Sequence, residues 1–327
     1  MNAFVTGGTG FLGRRIVRRL IERGDKVTLL ARDPAKAAEA RSLGARIVEG
    51  DLADIDAFAN ELGGCDVVYH AGARVVSHGD WDEFLRATVI GTEKLIETAL
   101  AAGVKRFVHV SSLGIFEIDH DGITVTENTD YDHNPRLRGH YTRSKIDADR
   151  IACAFAHSGK PVVVVRPGRI YGHDHPQQPL FYGRVKKRFG SWLVVVSKPS
   201  YLTPISYVEN AADAVVAAGT APGVEGQIFN VIDDPELTQA QYFRSLCGLS
   251  GCPSRVVYIP VGIFVPALVA VDLVHRVLRR RPWPIAYQLL RSERNARYAT
   301  DAARTRLGWT PRVKLDDAVR QTVTGGT

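Results

Sequence analysis

A chain of 327 residues with 45 % hydrophobic and 24 % charged residues has the make-up of an ordinary globular protein, with room for one large or two smaller domains. Its net charge of +7 is modest and spread along the sequence, so it does not by itself imply a nucleic-acid partner. Cys65, Cys153, Cys247 and Cys252 form no metal-binding spacing, and the last two lie too far apart for a C-x-x-C pair. No metal is expected, a reducing cytoplasm fits, and no signal peptide is expected before the first strand.

Ala3-Phe4-Val5 reads as a strand running into a glycine turn, Val5 to Gly13. A helix follows with apolar residues at Leu12, Ile16, Val17, Leu20 and Ile21, and Gly24 as the glycine that ends it. Strand, glycine turn and helix form the context in which such a turn binds a dinucleotide. Gly7, Gly8, Thr9, Gly10, Phe11, Leu12 and Gly13 are therefore the candidate pyrophosphate cradle, with the helix N-terminus supplying free N–H groups. Arg14, Arg15, Arg18 and Arg19 are either the solvated face of this helix or added attraction for a phosphate.

Lys26 to Ala31 is a second strand, ending at Arg32-Asp33-Pro34. The end of this strand reaches the adenosine ribose, where a carboxylate suits NAD and an arginine suits the 2′-phosphate of NADP. Arg32, with Lys36 close behind, favours NADP and leaves NAD possible; Asp33 is expected to turn away or cap the next helix. The alternative for Arg32 is a plain surface residue. Ala45 to Gly50 is a third strand, followed by Asp51-Leu52, where Asp51 is either an adenine contact or a turn aspartate.

A fourth strand, Asp66 to Tyr69, delivers His70 and then Ala71-Gly72-Ala73, small residues that suit close approach by a ligand. His70 reads as structural. A helix is expected through Trp81 to Gly103, then a strand Arg106 to Val110 that stops at Ser111-Ser112. After a polar loop with Glu127, Asp130 and Asp132 come Tyr141 and Lys145, four apart and so on one face of a helix. A lysine ammonium beside a phenol lowers the phenol pKa, and a serine at the neighbouring strand end can hold a substrate oxygen for proton exchange with it.

Val162 to Arg166 is a sixth strand, and Ile228 to Ile232 returns as another. This alternation predicts an α/β fold: a doubly wound parallel Rossmann sheet covered on both faces, with right-handed crossovers. Residues 1–175, with 203–235 returning, form the expected dinucleotide-binding domain; 176–202 and 236–327 form a smaller, mostly helical substrate lobe. Phe181, Tyr182, Phe189 and Trp192 mark a substrate-facing insertion, and Arg184, Lys186, Lys187 and Arg188 read as a solvated helix face. Thr238 to Gln241 reads as a capping box. Val256 to Val271 carries no charge and precedes Arg276, Arg279, Arg280 and Arg281. It is short for a membrane span, so it is either a buried helix and pocket wall or a peripheral membrane contact through 256–281.

In these motifs the sequence resembles the extended short-chain dehydrogenase/reductase family of NAD(P)-dependent epimerases, dehydratases and reductases. The match runs through GGTGFLG, Asp51-Leu52, HAGA, VSSLGIF, YTRSK, VRPGRIYG, ISYVENAADA and the late Leu307-Gly308-Trp309-Thr310-Pro311. The resemblance implies Tyr141 as acid/base, Lys145 as its partner on the nicotinamide ribose, and Ser112 rather than Ser111 as the substrate-orienting hydroxyl. It places Pro167 and Gly168 by the nicotinamide and implies a homodimer through two helices. Arg32-Asp33-Pro34 looks like the NADP-binding turn of dihydroflavonol reductase-like members. Sugar-nucleotide epimerases usually have an arginine where Thr203 stands, and Val208-Glu209-Asn210 looks more like the 3β-hydroxysteroid dehydrogenase branch.

The leading expectation is an NADP-preferring oxidoreductase acting on a secondary alcohol or ketone of a largely apolar, sterol-like or β-keto/β-hydroxy lipid substrate. The alternative is a nucleotide-sugar epimerase or dehydratase. A non-catalytic cofactor-sensing subunit is disfavoured by the complete set of Ser112, Tyr141 and Lys145.

Overall fold

A computed structural model of the chain describes residues 1–75, 79–175, 186–189, 192–250, 255–278 and 284–325. The first half alternates as the sequence implies: β1 (Asn2–Thr6), α1 (Phe11–Glu22), β2 (Lys26–Ala31), α2 (Ala38–Ser42), β3 (Arg46–Glu49), β4 (Val67–His70), α3 (Trp81–Phe84), α4 (Gly91–Ala101), β5 (Arg106–Val110), β6 (Ile123–Val125), α5 (His140–His157) and β7 (Val162–Pro167). The second half follows with β8 (Arg169–Tyr171), β9 (Lys186–Phe189), β10 (Trp192–Val196), β11 (Ile205–Tyr207), α6 (Val208–Ala218), β12 (Ile228–Val231), α7 (Gln239–Ser250), β13 (Arg255–Ile259), α8 (Val265–Val277), α9 (Ile285–Ser292), β14 (Ala296–Tyr298), α10 (Asp301–Arg306) and α11 (Leu315–Thr324).

A seven-stranded parallel sheet in the order β12-β7-β5-β4-β1-β2-β3 is the centre of the molecule. Its middle strands are apolar runs because both faces are covered: Val162, Val163, Val164 and Val165 are fully buried. One face packs Ile16, Val17 and Leu20 of α1 and Ala211 and Val215 of α6; the other packs Leu95 and Ile96 of α4 and Ala152 of α5. Strand order reverses at β1, which puts a ligand crevice at the C-terminal edge beside it.

Several local readings change. The helix expected over 81–103 holds a π-helical stretch, Leu85–Ile90, between α3 and α4. Arg15 and Arg19 do not face solvent: Arg15 reaches Glu209 at 3.3 Å and Arg19 reaches Asp213 at 2.9 Å, tying α1 to α6. Lys186 to Arg188 stand on strand β9, antiparallel to β10, instead of on a helix; a four-residue run is too short to display a period. Arg184, Phe181 and Tyr182 lie outside the described residues. The capping box forms, with Gln241 N–H donating to Thr238 Oγ1 at 3.2 Å and Thr238 N–H to Gln241 Oε1 at 2.8 Å.

The uncharged stretch Val256 to Val271 divides between β13 and the start of α8. Val256 and Tyr258 of β13 pack against the main core, whereas α8 has no buried residue. It packs against α9, whose Ile285 and Ala286 N–H groups are capped by the Asp272 carboxylate at 2.7 and 2.8 Å. Val269, Leu273 and Val277, spaced four apart, leave an apolar stripe 52, 60 and 74 % exposed. Arg279 to Arg281 lie outside the described residues. Among the described residues no helix is long and apolar enough to cross a membrane.

Candidate active site

Parallel strands bring the turns after β1, β2, β3, β4, β5 and β7 to one edge of the sheet; most sequence-predicted site residues occupy those turns or the start of α1, and Tyr141 and Lys145 stand on α5. Gly7 has φ +70°, and a Cβ there would lie 2.6 Å from Ala71 C and O and Gly72 N. A Cβ on Gly13 would collide with the Gly7 carbonyl. Gly10 precedes α1 with no side-chain cap, and the first turn of α1, with Phe11 and Leu12, holds no acidic residue. These glycines thus leave a cradle that side chains would fill, opening on uncapped helix N–H groups, and the residues present fit a pyrophosphate.

Beside the cradle, a cavity of about 70 Å³ is lined by Gly8, Thr9, Arg14, Lys36 and the start of α2. Arg32 is 69 % exposed, with its guanidinium 3.8 Å from Asp51. Asp33 turns away and accepts from Ala35 N–H at 3.1 Å, as its place before Pro34 implied. Asp51 accepts from Ala53 N–H at 3.0 Å through Oδ1, as a turn aspartate does, and its Oδ2 faces Arg32. Leu52 packs over the Ala71-Gly72-Ala73 loop: its Cδ1 would lie 2.6 Å from a Cβ on Gly72.

At the end of β5, Ser111 turns inside and is buried, while Ser112 stays partly exposed and its Oγ accepts from Gly114 N–H at 3.1 Å. Helix α5 carries Tyr141 in its first turn, 37 % exposed, and Lys145 one turn later, 4 % exposed. The Lys145 ammonium donates to Val110 O at 2.8 Å. Burial lowers Lys145 to about 8, against the pull of Asp149. Although the Tyr141 side chain is partly exposed, its hydroxyl end is buried, and that burial pushes the phenol up. Burial thus outweighs any lowering of the phenol by Lys145, whose ammonium donates to the β5 carbonyl. Pro167 ends β7, buried; Gly168 donates to Val231 O at 2.9 Å and Ser206 Oγ at 3.1 Å, and a Cβ there would sit 2.7 Å from Pro204 O.

Behind α5 lies a cluster the sequence reading missed. Arg166 of β7 pairs with Asp149 through Nη2 at 2.6 Å and Nε at 3.1 Å, and the Tyr131 hydroxyl donates to Asp149 at 2.7 Å. Burial would raise the Asp149 carboxyl, but Arg166 outweighs it and holds it low. The available signal was an arginine closing a run of four valines in a central strand.

A doubly wound parallel sheet whose first turn is a glycine cradle at a helix N-terminus defines the class of dinucleotide-dependent Rossmann enzymes. The chain belongs to the NAD dependent epimerase/dehydratase family, whose profile matches residues 3–231. It is 30 % identical over 333 residues, 98 % of this chain and 96 % of the relative, to a 4-hydroxy-2-methyl-3-oxo-4-farnesyl-3,4-dihydroquinoline-1-oxide ketoreductase of Stigmatella aurantiaca. It is 26 % identical over 337 residues, 98 % of this chain and 85 % of the relative, to a 2-alkyl-3-oxoalkanoate reductase of Shewanella oneidensis. The crystal structure of gox2253 superposes with a TM-score of 0.79 at 25 % identity, covering 99 % of this chain and 97 % of that one. Other relatives are named as sterol and 3β-hydroxysteroid dehydrogenases. Nucleotide-sugar epimerases solved with NAD share the fold at lower identity.

Proposed function

We propose that the chain is an NADP-preferring oxidoreductase that interconverts a ketone and a secondary alcohol on a largely apolar, sterol-like or β-keto/β-hydroxy lipid substrate. The observation that carries this reading is the convergence of partly exposed Ser112, Tyr141 and buried Lys145 on the strand edge that bears the glycine cradle. The nicotinamide cofactor, when bound, supplies or accepts the hydride. Ser112 binds the substrate oxygen, and Tyr141, whose burial keeps its proton on, donates it as the alcohol forms. Lys145 spends one N–H on Val110 O and keeps two for the nicotinamide ribose. Pro167 and Gly168 bound the nicotinamide end.

Arg14 and Lys36, with Glu39, line the cavity beside Gly8 and Thr9, and exposed Arg32 stands at the end of β2; this positive charge for a 2′-phosphate supports NADP. The alkyl and farnesyl groups in the relatives' names support an apolar substrate. The substrate lobe is taken as 176–202 and 236–327, over a dinucleotide domain of 1–175 and 203–235. The stripe on α8, with Arg276 beside it, supports a peripheral contact with an anionic bilayer. The thiols of Cys65 and Cys153, neither in a disulfide, suit a cytoplasmic location, and the reading includes a homodimer.

The test is turnover of β-keto lipids with NADPH. Tyr141→Phe is expected to lower kcat by about a thousandfold with cofactor affinity nearly intact. Arg32→Ala is expected to weaken NADPH about tenfold more than NADH. Retained turnover in the phenylalanine variant removes the role of Tyr141, and equal losses for the two cofactors remove the NADP preference. Epimerisation of a nucleotide sugar without net cofactor turnover replaces the reading altogether.

A further inference from the structure

We propose that His70 is a positioning residue of the cofactor site: as a neutral imidazole protonated on Nε2, it closes a one-way hydrogen-bond relay that fixes the loop 71–74 against the glycine turn. The inference rests on the dinucleotide reading above and adds a residue to it.

The direction of the relay follows from counting protons. Thr92 has one hydroxyl proton and gives it to Thr88 O at 2.5 Å. Thr92 Oγ1 also lies 2.9 Å from His70 Nε2, so there it can only accept, and Nε2 must carry a proton. In the neutral ring Nδ1 is then a lone pair, and it accepts the Thr6 hydroxyl at 2.7 Å. Thr6 Oγ1, its proton spent, accepts Gly72 N–H at 3.3 Å. At the other end of the loop, Arg74 N–H donates to Thr88 Oγ1 at 3.0 Å. Two N–H groups of one loop thus hang from Thr6 and Thr88, and His70 holds Thr6 directly and reaches Thr88 through Thr92.

The position of this loop matters because Gly7 packs against it with no room for a Cβ, so the loop sets the place of the glycine turn. The relay is sealed: Thr6, Thr88 and Thr92 are fully buried and His70 is 1 % exposed. It works in one protonation state, since an imidazolium would turn Nδ1 into a donor and displace the Thr6 proton. Burial and the nearby Lys145 charge hold His70 down to about 3, so the ring stays neutral. A π-helical stretch, Leu85–Ile90, carries Thr88, and Thr92 follows one turn on.

Two-bond 1H–15N correlation NMR on histidine-labelled protein is the first test. The expected result is a neutral Nε2–H tautomer for His70, unchanged from pH 5 to 9; an Nδ1–H tautomer or an imidazolium overturns the relay. The second is fluorescence titration with NADPH and NADH beside melting curves. His70→Leu and Thr6→Val are each expected to weaken cofactor binding about tenfold, with maximal turnover at saturating cofactor far less affected. His70→Asn, whose carbonyl can take the Nδ1 place, should recover most of the loss. The double variant His70→Leu/Thr6→Val should bind no worse than either single one, because both break the same relay. A folded His70→Leu protein that binds like wild type, or additive losses in the double variant, overturns the proposal. Should wild type bind neither cofactor, the dinucleotide reading fails on its own while the tautomer still decides the relay.

Discussion

Lys145 combines deep burial with a charge that is still present at neutral pH. Its folded value of about 8, set by burial, lies below the usual lysine range, so deprotonation falls within the range of ordinary assays. Ketone reduction needs Tyr141 protonated and Lys145 cationic beside the ribose. The reduction rate at saturating substrates is therefore expected to be level below pH 8 and to fall above it, approaching tenfold per pH unit. A profile that stays level to pH 10 would remove Lys145 from the proton-holding role. The placing of Tyr141 and Lys145 on one helix was legible, because a spacing of four survives any tertiary context. The Arg166–Asp149 pair was not: it joins a strand to a helix 17 residues away, and only the topology brings them into contact.

At the scale of elements, strands and helices of the dinucleotide half were legible because apolar period and glycine punctuation agree there. Helix α8 shows where that ends. An uncharged run has the same hydropathy whether a core covers it or not, so the run over 256–271 reads first as a buried wall and also fits a membrane contact. The exposure of Val269, and of Leu273 and Val277 just beyond the run, removes the buried-helix reading for α8 and leaves an apolar stripe that supports the proposed membrane contact. An apolar stripe followed in sequence by Arg276, Arg279, Arg280 and Arg281 favours bilayers of anionic lipid. Wild-type protein is expected to co-sediment with phosphatidylserine-containing vesicles and weakly with neutral ones. Leu273→Asp should lower that partition about tenfold, the cost of losing one buried leucine. Equal sedimentation of wild type and variant would return the stripe to ordinary surface.

Across the whole molecule, the motifs predicted a parallel sheet, while its strand order came only with the structure, because crossover handedness sets the face a connection takes and not the order. How the later strands return to it was harder to read, since β11, β12 and β14 pair with strands far earlier in the chain. Asp233, directly after β12 and Ile232, sits at this junction. Its Oδ2 accepts from Tyr207 N–H of β11 at 2.8 Å, its carbonyl accepts from Arg304 at 3.3 Å, and its Oδ1 is buried without a hydrogen-bond partner. Burial raises the carboxyl to about 7. In the unfolded chain an aspartate titrates near 3.9, so between about pH 4 and 7 the folded protein holds a proton that the unfolded chain has released. With more protons on the folded state, unfolding free energy falls as pH rises: this contribution is complete below pH 4 and lost as pH passes through about 7. An asparagine there keeps an acceptor for Tyr207 and has no charge to bury. Cofactor-free wild type should lose Tm relative to Asp233→Asn as pH is raised from 5 to 7.5, the gap opening by several degrees. Parallel Tm curves for the two proteins would mean that Asp233 is already ionised in the folded state at pH 5, with its charge compensated at the junction.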